Sequence, residues 1–347
     1  MTLAVRYTSA RTLDTAPAAD SEPGPGEVEL APAYVGICGT DLHIFHGDMD
    51  ARVAAPAVLG HEMAGRIVRV GPGVEDWRPG DAVTVMPLRW DGTCPACRAG
   101  HQHICQHLDF IGIDSPGAMQ QRWTVPSSTL IRLPETLPLD QAALVEPTAV
   151  AVHDVGRAAV KDGEKVVVVG GGPVGILIAL VARAAGAEVR VVEVNAHRRL
   201  LAEELGLSTW DPAAADITEL VQRWTDEAGA DVAFEVSGAA AGVETAVEAL
   251  GVRGRLCLVA IHPRPREINL HRFFWRELTL VGARLYDRGD FERAVALVAD
   301  GTVPAQRLIT KIVPLTEAPA AFEALESGGD VMKILVDCTD GTQGAAV

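Results

Sequence analysis

The hydrophobic rhythm of the chain changes twice. Up to about residue 90, short β-rich runs (28–31, 65–71 and 81–85) alternate with turn sequences such as Gly71-Pro72-Gly73-Val74 and Arg78-Pro79-Gly80-Asp81. Short strands with frequent turn signals predict a compact, barrel-like β domain. From about residue 151 the pattern becomes that of strands buried on both faces: 165–169 is a continuous β-branched run, as inside a parallel sheet. A glycine turn follows it, then a helical stretch over 176–185 and a second strand over 188–193. Further strands are predicted at 230–236, 255–260 and 278–281, with 208–210 as a weaker sixth, the number expected of a doubly wound nucleotide domain. After Gly282 mixed elements return, with helices over 291–299 and 319–325 and a last strand over 332–336. This tail is expected to rejoin the first domain. The 347 residues therefore read as an α/β protein of two domains. A β-barrel-type domain comes from 1–150 and 285–347, and a doubly wound parallel-sheet domain from 151–284.

The glycine turn is Gly170-Gly171-Gly172-Pro173-Val174-Gly175, set between strand and helix. Alone such a motif is weak, but strand, turn, helix, strand and a terminal acid in register point to a dinucleotide-binding βαβ unit. Gly170 permits the turn, Gly172 lets the backbone approach a pyrophosphate, and Gly175 lets helix and strand pack closely. Pro173 and Val174 belong to the same turn, and the N-terminus of the helix that follows it faces the negative charge. Glu193 is placed to hydrogen-bond a ribose 2′-hydroxyl and to repel a 2′-phosphate, which selects NAD over NADP. Arg198 and Arg199 follow closely and pull the other way.

Two clusters of metal-ligating residues lie in the first domain. Cys38-Gly39-Thr40-Asp41-Leu42-His43 is answered by Gly60-His61-Glu62. A thiolate, an imidazole and a carboxylate are ligands that a catalytic zinc accepts, with a fourth position left open. Cys94, Cys97 and Cys105 are spaced C-x2-C-x7-C, which suits a closed structural zinc lobe one ligand short. Asp91, His101 and His103 are the candidates for the fourth. Either thiol or imidazole alone reads more simply as a core residue; their spacing argues against that.

Composition narrows the class. Thirty basic against forty-six acidic residues give a net charge of -16, which offers no basic stripe to nucleic acid or anionic lipid. The start lacks a signal-like apolar core and no apolar run is long enough to span a bilayer, so a cytoplasmic protein is expected, with its cysteines serving metal and not disulfides.

With Gly36-Ile37-Cys38-Gly39-Thr40-Asp41-Leu42-His43, Gly60-His61-Glu62-Met63-Ala64-Gly65, Leu144-Val145-Glu146-Pro147, Gly170 to Gly175 and Glu277-Leu278-Thr279-Leu280-Val281-Gly282 in view, the whole chain resembles the zinc-dependent medium-chain dehydrogenases, in their butanediol, polyol and threonine dehydrogenase branch. The resemblance implies a GroES-like catalytic domain, a Rossmann domain, a substrate cleft where they meet, and a homodimer or homotetramer. It implies that Cys38, His61 and either Glu62 or Glu146 hold a catalytic zinc, and that Thr40 and then His43 carry the alcohol proton away. Two positions depart from the family pattern. Asp91 stands where the first of four lobe cysteines is usual, and Gly117-Ala118-Met119-Gln120-Gln121-Arg122-Trp123 replaces the usual Gly-Ala/Gly-Phe-Ala-Glu-Tyr segment. The expected reaction is NAD-dependent oxidation of a secondary alcohol in a diol, polyol or sugar-like substrate. The rivals are an L-threonine 3-dehydrogenase and, from another class, a catalytically silent NAD(P)-binding protein.

Overall fold

The computed structural model describes residues 2–18, 22–262, 264–326 and 330–339. The chain divides into two compact units, one of Met1–Glu146, Asp287–Gly301 and Ala305–Val347, the other of Pro147–Tyr286 with Thr302–Pro304.

In the first unit the strand Glu27–Gly36 is central, with Val28, Leu30 and Val35 fully buried. Antiparallel to it runs Glu62–Val70 on one edge; along the other, Trp123–Pro126 pairs with residues 27–30 and Lys333–Asp337 with residues 34–36. The sheet continues through Ala82–Val85 to Leu130–Arg132 on one side and to Ile309–Pro314 on the other. The late strand Lys333–Asp337 is thus built into the sheet formed by the first hundred and thirty residues. Its register sets Leu335 opposite Gly36, and Gly36 in turn stands opposite Glu62. The helix Arg288–Ala299 also belongs to this unit and begins three residues earlier than the hydrophobic pattern suggests. Asp287 and Asp290 each accept the other's backbone N–H at 3.0 Å, a reciprocal cap that starts the helix at Arg288.

The second unit alternates strand and helix: β1 Lys165–Val169, α1 Pro173–Ala184, β2 Glu188–Val192, α2 Ala196–Glu204, β3 Ser208–Trp210, α3 Ile217–Trp224, β4 Ala230–Glu235, α4 Ala240–Ala249, β5 Leu250–Leu258, α5 Leu270–Arg276 and β6 Thr279–Gly282. All pairings are parallel, in the order β3-β2-β1-β4-β5-β6. The order reverses between β1 and β4, the switch point at which such sheets bind ligands. The valines of β1 are buried beneath helices on both faces, which explains the unbroken apolar run. β5 reaches back to Leu250, farther than its apolar run, because a register shift loops out residues between Leu250 and Arg255, with Arg253 at φ 59°. Among the described residues no helix is long and apolar enough to cross a membrane.

Candidate active site

The first cluster forms where three segments of the sheet meet. Cys38 caps the helix Gly39–Phe45 just past the central strand, His61 precedes the strand Glu62–Val70, and Glu62 begins it. One ligand atom from each of Cys38, His61 and Glu62 lies within 4.8 Å of the others. His61 and Glu62 are buried and Cys38 is half-buried. Asp41, wholly buried, serves two of them: its Oδ2 accepts the Cys38 backbone N–H at 2.9 Å and its Oδ1 stands 3.7 Å from His61 Nδ1. Neither that oxygen nor His61 Nδ1 has a hydrogen-bond partner. Lys333 reaches in from the late strand, ion-pairs with Glu62 and donates from Nζ to the Ile37 carbonyl at 3.0 Å. Glu146 is buried nearby, close enough for its charge to act on both His61 and Lys333.

The electrostatics favour a cation. Burial works against the His61 imidazolium, yet the charge of Asp41 and the contact with Cys38 raise its proton affinity well above 6.5. Burial also opposes the Lys333 ammonium, and the charges of Glu62 and Cys38 overcome it. Burial raises Asp41, with His61 pulling it back. A buried pocket of thiol, imidazole and carboxylates with an orphaned ring nitrogen beside a carboxylate fits zinc, a carboxylate behind the ligating histidine being its usual support. Thr40 and His43 sit on the adjoining helix three residues apart, hence on one face. His43 is 38% exposed at its side chain, with Nδ1 3.2 Å from Asp48.

The second cluster draws Asp91, Cys94, Cys97 and Cys105 together, again within 4.8 Å, between the paired strands Leu88–Arg89 and Asp109–Phe110. His101 and His103 are not in this group. Backbone N–H groups of Gln106 and Cys97 point at the Cys94 sulfur at 3.5 and 3.4 Å and lower its thiol to about 7. The N–H groups of Asp91 and His107 point at the Cys105 sulfur. Asp91 Oδ1 accepts from the backbone N–H groups of Thr93 and Cys94, and Oδ2 meets His107 Nδ1 at 2.6 Å, so backbone and imidazole hold its pKa well below the usual carboxylate range. Burial and the neighbouring sulfurs push the Cys97 thiol up to about 12, so a cation at the centre is what would let all three sulfurs ligate; one carboxylate and three thiols with sulfur-directed N–H groups fit a closed zinc site.

In the second unit, Gly170 takes φ +108°, and Gly175 packs so closely on the Gly170 carbonyl that a Cβ there would overlap it. At Gly172 a Cβ would enter open space, its nearest neighbour Arg198 Nη1 at 3.7 Å. That is the cradle a pyrophosphate needs. Pro173 and Val174 open α1, and Gly172 is its N-cap. Glu193 is buried; its Oε2 accepts from Gly171 N at 2.6 Å and its Oε1 from Asn195 N at 2.7 Å. Arg199 is spent on the carbonyls of Glu193 and Val194 and on Asp211, whereas Arg198 Nε is buried without a hydrogen-bond partner.

Two groups in the first cluster escaped the sequence reading. Asp41 lies within the Cys38–His43 motif, where an acid three residues past a helix cap is a local signal. Lys333 carries no local signal, because its partners are remote in sequence.

A metal-binding β unit joined to a dinucleotide-binding sheet defines a pyridine-nucleotide-linked metal dehydrogenase. Residues 24–135 match the alcohol dehydrogenase GroES-like domain and residues 173–300 the zinc-binding dehydrogenase domain. The chain is 48% identical over 316 residues to 2-dehydro-3-deoxy-L-galactonate 5-dehydrogenase of Pseudoalteromonas atlantica, covering 91% of this chain and 93% of that one. Its fold is similar to that of 2R,3R-butanediol dehydrogenase from Bacillus subtilis, with a TM-score of 0.90 and 31% identity over 97% of this chain and 99% of that one. It is also similar to a protein from Sinorhizobium meliloti described as a zinc-binding dehydrogenase and bound to NADP, with a TM-score of 0.91 and 33% identity over the same shares. The chain belongs to the zinc-dependent medium-chain dehydrogenases of the alcohol dehydrogenase superfamily. It is an oxidoreductase that takes a hydride from a secondary alcohol.

Proposed function

We propose that the chain oxidises a secondary hydroxyl of a sugar acid, of the 2-dehydro-3-deoxy class, to a ketone with NAD⁺ as acceptor. The observation that carries the chemistry is the Cys38–His61–Glu62 cluster with the buried Asp41 behind it. The substrate class is supported by the relative at 48% identity, whose name places its reaction at C5 of such an acid. In this reading Cys38, His61 and Glu62 hold the catalytic zinc, and Glu146 is the carboxylate that exchanges with Glu62. Zinc bound there supplies a Lewis acid that polarises the alcohol oxygen. Thr40 accepts the hydroxyl proton, and His43, half-exposed beside Asp48, passes it to water. The threonine reading is the weaker one, because an amino-acid substrate has no counterpart in that relative's name.

The test is NADH formation with 2-dehydro-3-deoxy-L-galactonate set beside butanediol, sorbitol and L-threonine. The sugar acid is expected to give the highest kcat/KM; L-threonine in first place would overturn the reading. NAD⁺ is expected to be preferred to NADP⁺, since Glu193 stands at the end of β2 where the adenosine ribose lies. A kcat/KM favouring NADP⁺ would instead assign the 2′-phosphate to Arg198.

Asp91, Cys94, Cys97 and Cys105 hold a second, structural zinc in this reading. Metal analysis is expected to give about two zinc ions per chain. Cys94→Ser should halve that content and lower Tm; unchanged content would exclude the lobe. A cytoplasmic setting suits these reduced thiols. A homo-oligomer is supported by the outer edge of the second unit: β6 is an edge strand with Leu280 exposed, and α5 exposes Leu270, Phe274 and Trp275, each by 74% or more. An open sheet edge beside an apolar patch is the kind of surface a second copy covers. Trp275→Glu combined with Leu280→Lys is expected to give a monomer by sedimentation, and a wild-type monomer at micromolar concentration would remove the assignment.

A further inference from the structure

Glu193 and Glu235 stand on opposite sides of β1. One follows β2 and the other ends β4, and both are buried. Each turns its carboxylate back onto loop backbone. Glu235 Oε1 accepts from Ser237 N at 2.9 Å, Ser237 Oγ at 2.5 Å and Gly238 N at 3.0 Å. This loop touches the glycine turn, since a Cβ on Gly170 would lie 2.9 Å from Ser237 N. A dinucleotide lying across the switch point with its adenosine over β2 must lay its other half over β4 and β5.

There Glu235 makes a second set of ties. Its carbonyl accepts the backbone N–H groups of Val259 and Ala260, at 3.0 and 3.1 Å, where the chain leaves β5. Its Oε2 lies 2.8 Å from His262 Nε2. The other ring nitrogen, Nδ1, faces Arg266 Nε at 3.4 Å, and Arg266 Nη2 reaches the Gly238 carbonyl at 3.3 Å. A guanidinium only donates, so Nδ1 accepts and Nε2 carries the proton given to Glu235. Both ring nitrogens are thereby engaged and the side chain is only 15% exposed. Such an imidazole is built to hold a position and leaves no nitrogen free to exchange protons. Between the two anchors the loop presents Ile261, an apolar side chain 64% exposed.

We propose that His262 is a positioning residue: with Arg266 behind it, it ties the loop after β5 to Glu235 and so shapes the seat of the nicotinamide half of the cofactor. The proposal rests on the reading that the glycine turn takes a dinucleotide. It separates the two halves of the cofactor: Glu193 serves the adenosine end, and the His262 tie serves the nicotinamide end.

The test compares NADH with ADP-ribose, which lacks the nicotinamide ring, by titration calorimetry on the full-length zinc-loaded enzyme. His262→Leu should weaken NADH about tenfold, the weight of one hydrogen bond to a charged group, and leave ADP-ribose within about twofold. His262→Gln, which keeps an N–H donor, should recover most of the NADH affinity, and Arg266→Ala should show the same selective loss in smaller degree. Equal losses for NADH and ADP-ribose, or undiminished NADH binding in His262→Leu, would overturn the assignment and leave the dinucleotide reading intact. Failure of the wild-type enzyme to bind either ligand would overturn both.

Discussion

Replacing Lys333 by methionine is expected to lower the stability of the zinc-free protein by about 3–5 kcal/mol, a fall in Tm on the order of 10 °C. Lys333 is 3% exposed and its partner Glu62 only 1%, so the pair is shielded from water and salt. Removing the ammonium strands a carboxylate in a site already crowded by Asp41, Glu146 and the Cys38 thiol, and leaves the Ile37 carbonyl without its donor. The penalty comes from the orphaned charge more than from the lost attraction. Adding Glu62→Gln to Lys333→Met should therefore restore most of the loss, although each single change destabilises. Calorimetric melting of the four chains in that cycle decides it. A double variant no more stable than Lys333→Met would show that the ammonium acts by some route other than Glu62.

Thr40→Val should keep zinc content and NAD⁺ affinity and lower kcat by about 10²-fold, with Thr40→Ser restoring much of the rate. The substitution removes one hydroxyl and preserves shape, so the change isolates proton transfer. Thr40 follows the N-cap Cys38 by two residues in the helix Gly39–Phe45, so the proposed ligand and the proposed proton acceptor share one turn of backbone. Asp41 steadies that turn from below through the Cys38 N–H. His43→Ala should slow the reaction most at low pH, where hydroxide cannot replace the missing base. Near-wild-type turnover in Thr40→Val, with a deuterium isotope effect showing that hydride transfer limits the rate, would remove Thr40 from the proton path.

What could be read from residues alone followed the range of the interactions involved. The βαβ unit was legible because its parts are consecutive: an apolar strand, a turn that needs glycine, a helix and an acid within thirty residues. The cysteines of the lobe were legible for the same reason, yet spacing could not choose among Asp91, His101 and His103. That choice depends on which side chain the loop turns inward, and the structure gathers Asp91 with the three cysteines. His107, the partner of Asp91, had no signal because its contact is fixed by the folded lobe. Glu193 was placed at the strand end, while the backbone N–H groups it holds depend on two loops meeting. Lys333 and His262 were invisible: one looks like an ordinary residue flanking a strand, the other like a loop histidine, and only tertiary contact sets them against Glu62 and Glu235.

The strand Lys333–Asp337 also imposes an order on synthesis. Lys333 and the Ile37 carbonyl it holds are 296 residues apart, so at ribosomal speed on the order of tens of seconds separate the emergence of the two. During that interval the central strand Glu27–Gly36 has an open edge at residues 34–36, and Glu62 lacks its counter-charge. The second unit, Pro147–Tyr286 with Thr302–Pro304, is synthesised entirely before residue 333 and can take shape meanwhile. A nascent chain halted before residue 333 would therefore carry a cofactor fold and an unfinished metal site. The metal cluster is thus finished only after the cofactor fold has been synthesised.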